Sequence, residues 1–379
     1  MSTESSHATT TTTTATAAAS GSNAYTPRRI DEFLKEVLAK SGSDLHFIAG
    51  DPPRIRLYGE LHNLRPEPLT AQFVEETLRE IMPRAAQMRV DEKHGADFAY
   101  IIPGVSRFRV NVMRHLYGLG CVCRAIPSKA LTLDQLNAPD AIRNLCKVNN
   151  GLILVTGKTG SGKSTTLAAM IDDMNQRLKG HILTIEDPIE FVHQRKNCLV
   201  SQREIGTHSP SFAEALHSAL REDPDVILVG ELRDYETMSI AVTAAEMGIL
   251  VMGTLHTNGA APTVDRIVNA FPADKQSHVR AMLSTSLRGV ISQQLIPKAG
   301  KSGRVAAHEI LVNTPAVANL IRQGKLDQLE NAMQSGGAFG MRLMDSAIQE
   351  LLDKAQITGK SAYLKAINKA KFEAVKDSG

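Results

Sequence analysis

The stretch that most restricts the possible fold is "ILVTGKTGSGKSTTLAAMI", at residues 153–171. An apolar strand runs into a glycine-rich turn and then into a helix-forming segment. Residues 157–164 match the spacing G-x-x-x-x-G-K-[ST] at every defined position. Glycines at these places let backbone amides converge on an anion, and the N-terminus of the following helix adds partial positive charge. The pattern predicts a polyphosphate site, and the flanking strand and helix disfavour a merely flexible turn.

The predicted contacts of the polyphosphate fall within this turn and the first helical residues. Lys163 is placed to reach the β- and γ-phosphates of a nucleotide, and Ser164 to ligate Mg²⁺. The predicted phosphate-binding set is Gly157, Lys158, Thr159, Gly160, Ser161, Gly162, Lys163, Ser164 and Thr165.

The sequence after residue 150 predicts an α/β fold with a parallel sheet. Short apolar strands ("LILVT", "HILTIE", "VILVG", "ILVMGTLH") alternate with helix-forming stretches. Strands that are apolar on both faces indicate a sheet covered by helices on both sides. We place this core at 151–272, followed by a mainly helical part at 273–379 that includes "HVRAMLSTSLRGVISQQL" and "MRLMDSAIQELLDKA".

Acidic residues follow two of these strands. Ligands of parallel sheets bind beyond the carboxyl ends of the strands, and Asp187, Glu190 and Glu231 come just after such ends. Asp225 opens its strand, about 20 Å from Glu231 at ~3.3 Å per residue, and is not expected at the site. A lone acid is usually a solvated loop carboxylate. Two clusters of acids at strand ends beside a phosphate loop, however, favour a role in binding or hydrolysing the nucleotide. We expect Glu231 to organise metal and water, Asp187 to support Mg²⁺, and Glu190 to polarise the nucleophile.

A histidine marks the end of a third strand. His256 follows "ILVMGTL" and is flanked by Thr254 and Thr257. A lone histidine is more often structural than catalytic. At a strand end, however, a neutral imidazole can hydrogen-bond the γ-phosphate or the attacking water. We therefore predict that His256 senses which nucleotide is bound.

The first part of the chain has a different pattern. Residues 1–24 form a Thr/Ala-rich tail that we expect to be disordered, because it cannot bury enough apolar surface. Residues 25–130 read as an α+β unit: a helix ("RRIDEFLKEVLAK"), a hairpin ("DPPRIRLYGELHNL") with its turn near Gly59, a second helix ("AQFVEETLREIM") and three strands. Residues 131–150 read as a linker carrying one helix.

Composition bears on partners and location. A net charge of +3, 4% aromatic residues and no Trp disfavour a dedicated nucleic-acid binder. No apolar run approaches the ~20 residues of a membrane helix, and the N-terminus lacks a secretory signal pattern. Cys121 and Cys123 share one face of a predicted strand and are expected to be buried hydrophobes, which fits a reducing cytoplasm.

Taken together, the segments resemble the type II/IV secretion and pilus ATPase superfamily, and within it the pilus-retraction ATPases of twitching motility. "TGKTGSGKST" is similar to the family's Walker A, "TIEDPIEFVH" to its Asp box, "REDPDVILVGELRD" to its Walker B and "MGILVMGTLHTNGA" to its His box. "GSDLHFIAGDPPRIRLYGEL" looks like the start of its PAS-like N-terminal domain. The resemblance implies a PAS-like domain, a RecA-like P-loop NTPase domain and hydrolysis of ATP with Mg²⁺.

The resemblance also implies a homohexamer in which the N-terminal domain of one subunit packs against the RecA-like domain of its neighbour. Arg109 and Arg124 are the matching arginines expected to complete the ATP site in trans, with Arg107 and Arg114 as weaker candidates. The alternative is that these arginines form only surface salt bridges. The expected partners are an inner-membrane pilus platform protein and a paralogous retraction ATPase, at the cytoplasmic face of the inner membrane.

Two departures fall in the C-terminal part. The family motif "AIRNL" is "AVANL" here, so Ala318 stands in place of arginine, and His308 stands where an apolar residue is expected. Neither departure touches the phosphate chemistry, but both lie where coupling to partners is expected.

Three alternative functions stay open. The first is a pilus-extension or type II secretion ATPase, which a longer N-terminal extension and a metal-binding Cys tetrad would favour; neither is visible. The second is a RecA-like nucleic-acid translocase. The third is an accessory subunit that works beside an active paralogue, against which the intact Lys163, Glu190 and Glu231 argue.

Overall fold

The computed structural model describes residues 25–57, 60–126, 130–300 and 303–378. The chain divides into two compact units, with the boundary between Ala125 and Ile126. The expected disordered tail and the expected hairpin turn near Gly59 lie outside the described residues. No helix in the described ranges combines the length and the apolar composition needed to cross a bilayer.

Unit 1 is built on a six-stranded sheet of order β3-β2-β1-β6-β5-β4, in which the pairs β1–β2, β1–β6, β2–β3 and β4–β5 are antiparallel. Its elements are α1 (Ile30–Ala39), β1 (Asp44–Ile48), β2 (Arg54–Leu57), β3 (Glu60–Asn63), α2 (Ala71–Ile81), α3 (Arg84–Lys93), β4 (Gly95–Ile102), β5 (Ser106–His115) and β6 (Gly118–Ile126).

One face of this sheet forms the core of unit 1. Alternate residues such as Leu45 on β1 and Phe108 on β5 join a single apolar cluster with residues from α1 and α2. Cys121 and Cys123 lie in that cluster with free thiols, their sulfurs 3.5 Å apart, as the sequence predicted. Helix α3 was not predicted, because it buries too few apolar side chains to show a helical pattern.

Unit 2 contains a seven-stranded sheet of order β13-β12-β7-β11-β10-β8-β9, parallel except for the antiparallel pair β12–β13. Its elements are α4 (Asp140–Leu145), β7 (Gly151–Thr156), α5 (Lys163–Arg177), β8 (His181–Glu186), β9 (Leu199–Glu204), α6 (Phe212–Ala219), β10 (Val226–Val229), α7 (Tyr235–Glu246), β11 (Leu250–Leu255), α8 (Ala260–Ala270), α9 (Gln276–Ser286), β12 (Leu287–Pro297), β13 (Arg304–Val312), α10 (Pro315–Gln323), α11 (Leu329–Ser335), α12 (Met344–Asp353) and α13 (Gly359–Lys365), with 3₁₀ turns at Leu326–Gln328, Gly337–Phe339 and Lys369–Val375.

Both faces of this sheet are buried. Successive side chains of a strand point to opposite faces, and on β7 Leu152 and Leu154 join one apolar cluster while Ile153 and Val155 join another. Helices α6 to α11 contribute to the first cluster, and α4 and α5 to the second. The α/β fold with a parallel sheet covered on both sides is therefore confirmed.

The prediction of one helix over 278–295 is wrong in its second half. Helix α9 ends at Ser286, and the chain continues as strand β12 beside β7. Val290 and Ile291 then go to opposite layers of the core, which requires strand alternation rather than a helical period. The run is apolar enough to fit both patterns, and only its place beside β7 decides between them.

Candidate active site

The glycine-rich turn joins β7 to α5, and its glycines are required by geometry. Gly157 has φ +136° and Gly162 has φ +89°, in the region that favours glycine. A Cβ atom on Gly157 would lie 2.4 Å from the carbonyl oxygen of Gln293. Another residue at this position would push the turn away from β12.

Lys163 is the first residue of α5 and is buried. Its Nζ donates to the carbonyl oxygen of Gly157 at 2.9 Å and lies 3.4 Å from that of Lys158. Burial lowers the pKa of the Lys163 ammonium, while the negative charges of Glu231 and Glu190 oppose that shift. The Lys163 ammonium therefore lies at the N-terminus of α5, and both the ammonium and the helix end attract an anion.

Gln293 on β12 fixes the turn from the side, and sequence reasoning missed it. Its Nε2 donates to the carbonyl oxygen of Ser161 at 2.7 Å, and its Oε1 accepts from Thr166 Oγ1 at 2.7 Å. The residue lies in the stretch that was expected to be helical. Had the stretch been assigned as a strand beside β7, Gln293 would have been expected next to the phosphate loop.

A cavity of about 470 Å³ opens beside the turn at the carboxyl ends of β7, β8, β10 and β11. The structure brings ten of the sequence-predicted site residues to its wall: Thr159, Gly160, Gly162, Lys163, Ser164, Thr165, Asp187, Glu190, Glu231 and His256. The wall also includes Glu186, Phe212, Arg233 and Arg304, to which the sequence assigned no role.

The other predicted phosphate contacts lie elsewhere in the turn. Lys158 and Ser161 line a neighbouring cavity of about 610 Å³, and Gly157 takes part through its carbonyl bond to Lys163. The hydroxyl of Ser161 is buried without a hydrogen-bond partner among the residues that the structure describes. Asp225, expected to be remote, lies at the amino end of β10, where it accepts from the backbone N–H of His181 at 2.7 Å.

Glu231 and His256 meet at the cavity wall. Glu231 Oε1 lies 3.3 Å from His256 Nε2, and Glu231 Oε2 lies 2.8 Å from Arg233 Nη2. Their strand ends are joined because Thr254 Oγ1 donates to the carbonyl oxygen of Gly230 at 2.5 Å. This hydrogen bond holds the ends of β10 and β11 together beside the cavity.

The acids after β8 differ in burial. Glu186 ends the strand and accepts from Thr184 Oγ1 at 2.7 Å, Gln202 Nε2 at 3.3 Å and the backbone N–H of Glu190 at 3.3 Å. Burial raises the pKa of the Glu186 carboxyl, and these hydrogen bonds oppose that shift. Asp187 and Glu190 are exposed beside the cavity. The half-buried Glu186 thus holds the backbone of Glu190, one of the two exposed acids.

The two predicted arginines belong to unit 1. Arg124 on β6 has Nε 2.8 Å from Oδ1 of the buried Asp44, yet its side chain is 67% exposed. Arg109 on β5 makes a looser ion pair, with Nε 3.7 Å from Oδ1 of the exposed Asp97. Both arginines therefore have salt-bridge partners within their own unit, and Arg124 is the more firmly oriented.

The cavity has a donor set that suits Mg²⁺ only together with phosphate. The described residues contain no group of three or more His, Cys, Asp or Glu placed to hold a metal. Mg²⁺ is usually bound through one or two protein oxygens, several waters and substrate phosphates. Ser164, Asp187 and Glu231 supply hydroxyl and carboxylate oxygens on one wall, next to Lys163. These residues fit a magnesium–nucleotide complex.

Comparison with known proteins gives concordant matches. The family model described as "Type II/IV secretion system protein" matches residues 20–358. The type IV pilus retraction ATPase PilT of Pseudomonas aeruginosa is 50% identical over 337 residues, covering 89% of this chain and 98% of that protein. The type IV pilus ATPase PilU of the same organism is 39% identical over 336 residues, covering 89% and 88%. The crystal structure of the pilus retraction motor PilT with bound ADP has a TM-score of 0.86 and 42% identity, covering 92% of this chain and 100% of that one.

Proposed function

This chain belongs to the type II/IV secretion system protein family and is an ATPase, and from that premise we propose that it drives the retraction of a type IV pilus. One observation carries the proposal: the phosphate loop, the acids after β8 and β10 and His256 share one cavity. Retraction is favoured over other tasks by the 50% identity to PilT.

In this proposal, ATP lies with its phosphates on the loop amides and on Lys163. Ser164, Asp187 and Glu231 hold Mg²⁺, which when bound neutralises phosphate charge. Glu190 polarises the attacking water. His256 hydrogen-bonds the γ-phosphate or the attacking water, and thereby senses which nucleotide is bound. Its 3.3 Å contact with Glu231 connects His256 to the end of β10.

The assembly is proposed on the same basis. We expect a homohexamer in which Arg124, and with it Arg109, reaches the nucleotide of a neighbouring subunit. A guanidinium supplied in trans stabilises charge on the transferred phosphoryl group. The expected partners are a pilus platform protein, at the cytoplasmic face of the inner membrane, and a PilU-like paralogue that modulates the motor.

The direction of force can be tested in the parent cell by counting surface pili after the chain is deleted. If the chain drives retraction, pili accumulate and twitching motility is lost, because extension continues without return. Restoring the wild type should reverse both effects, whereas Lys163→Ala should not. Lys179→Ala, an exposed lysine at the opposite edge of the same sheet, is the matched control and should restore both.

Other results would contradict retraction. Loss of pili would assign the chain to extension, and unchanged pili with impaired protein export would assign it to secretion. Unchanged pili in a cell whose motility depends on a second ATPase would favour the accessory role. Stimulation of the purified ATPase by single-stranded DNA would support a nucleic-acid translocase.

A further inference from the structure

The loop that carries His256 is anchored by two neighbouring strands. It runs from the end of β11 to the start of α8, where the Gly259 N–H donates to Ser292 Oγ at 2.9 Å and the Ala260 N–H donates to Glu309 Oε1 at 2.7 Å. Ser292 on β12 and Glu309 on β13 are cross-strand partners. Two adjacent side chains therefore hold two consecutive amides at the start of α8.

The second oxygen of Glu309 holds another helix. Glu309 Oε2 accepts from the backbone N–H of Met344, the first residue of α12, at 3.1 Å. Neither α8 nor α12 has a capping side chain at its own N-cap position. One buried carboxylate thus satisfies orphan amides at two helix N-termini, where negative charge is favoured.

The approach of Glu309 to the loop leaves little space. Gly259 has φ +100°, and a Cβ atom there would lie 3.3 Å from Glu309 Oε1. The loop therefore reaches the carboxylate only because this position is glycine. Burial raises the pKa of the Glu309 carboxyl, and the two amide hydrogen bonds oppose that shift.

The contacts continue from α12 toward the phosphate loop. Asp345, the second residue of α12, is buried and accepts from the backbone N–H groups of Ile367 at 2.7 Å and Asn368 at 2.9 Å. Ile367 lines the 610 Å³ cavity together with Lys158 of the phosphate loop. The C-terminal segment is thus linked to the start of α8 through Glu309, and it shares a cavity with the phosphate loop.

We propose that Glu309 is a positioning residue that couples the His256 loop to the C-terminal helices α12 and α13. When His256 changes its contact on nucleotide binding, α8 shifts at its first turn, and the shared carboxylate passes the displacement to the start of α12. This inference rests on the proposed function, because it requires that the site bind ATP. Glu309 lines neither of the two cavities beside the phosphate loop, so we expect its effect to be on geometry.

The test is hydrogen exchange of the full-length protein, with and without Mg²⁺ and a slowly hydrolysed ATP analogue. Protection at 157–165 reports nucleotide binding, and protection at 344–353 reports coupling. The wild type should respond in both segments. Glu309→Gln keeps one acceptor oxygen but cannot accept at both helices, so its 157–165 response should remain and its 344–353 response should be lost. Its kcat should fall about tenfold to a hundredfold with KM unchanged, the range typical of lost positioning partners.

The matched control is Asp353→Asn at the exposed C-terminal end of α12, which should behave as the wild type in exchange and turnover. If Glu309→Gln does not fold, Ser292→Ala replaces it, because it removes only one of the two holds on α8 and should weaken the 344–353 response. A wild type that responds at 157–165 but not at 344–353 would overturn the coupling and leave the proposed function intact. A normal 344–353 response in the folded Glu309→Gln variant would also overturn it. No response at 157–165 in the wild type would count against the proposed function itself.

Discussion

The two sheets of this molecule place their reactive side chains in opposite ways. The sheet of unit 2 is buried on both faces, and the acids and the histidine at its cavity wall come just after the ends of β8, β10 and β11. The antiparallel sheet of unit 1 is buried on one face, and Arg109 and Arg124 stand in the alternate positions. In both sheets successive side chains alternate between the two faces. The result is a site at the strand ends in unit 2 and an arginine-bearing exposed face in unit 1.

The largest expected effect tests whether the exposed sheet face of unit 1, which carries Arg109 and Arg124, contributes to catalysis. Arg124→Ala should lower kcat by about 10³-fold, the lower end of what a trans-acting arginine contributes. Wild-type turnover per subunit should rise with protein concentration as subunits assemble. Steady-state ATPase assays over a concentration series measure both effects.

Arg89→Ala, an exposed arginine on α3 of the same unit, is the control and should leave turnover unchanged. Arg109→Ala should have the smaller effect of the two site arginines, because its ion pair is looser. Turnover that is independent of concentration and survives Arg124→Ala would place the whole site within one subunit, and the face of unit 1 would have no catalytic role.

The site at the strand ends of unit 2 allows a second test, with a smaller expected effect, of how β12 holds the phosphate loop. Gln293→Leu removes two neutral hydrogen bonds, one to the phosphate loop and one to Thr166 on α5, each contributing about 1 kcal/mol, so ATP binding should weaken by up to about 30-fold. Isothermal calorimetry with ATP and Mg²⁺ measures the change in Kd. Gln349→Leu, on the exposed side of α12, is the control. An unchanged Kd in Gln293→Leu would show that the loop keeps its shape without β12.

The smallest effect concerns charge inside the doubly buried sheet. Burial, reinforced by the charge of Arg342, lowers the pKa of His308 to about 3. The folded protein keeps this imidazole neutral, whereas the unfolded chain takes up the proton below its ordinary pKa of 6.5. The free energy of unfolding of unit 2 should therefore fall as pH falls from 6.5 toward 3, by about 2 kcal/mol from this one residue between pH 7 and pH 5.

Urea unfolding of wild type and His308→Val at pH 7 and pH 5 measures this loss. The variant should lose less stability on acidification than the wild type, because it has no proton to take up. His278→Val, at an exposed position on α9, should retain the wild-type dependence. Equal pH dependence in wild type and His308→Val would mean that the imidazole titrates alike in both states.

The features that local sequence patterns indicated are strand ends and the turns after them, whereas the features they missed depend on strand register. The phosphate loop, the acids after β8 and β10 and His256 each follow from a short strand and the residue types at its end. Gln293, Ser292 and Glu309 act through contacts with segments 33 to 132 residues away in sequence, so no local pattern marks them. For Ser292 and Gln293 the helix predicted over 278–295 was an additional obstacle, because a helical period directs these two side chains differently from a strand.

The place of β12 beside β7 has a consequence for the order in which the protein matures during synthesis. The phosphate loop is translated early, but Gln293, which holds it, follows Ser161 by 132 residues and Thr166 by 127. A nascent chain that ends before β12 exposes one edge of β7 and lacks both hydrogen bonds from Gln293. Because domains fold as their segments leave the ribosome, the loop gains its hydrogen bond from Gln293 only after β12 has emerged from the exit tunnel and paired.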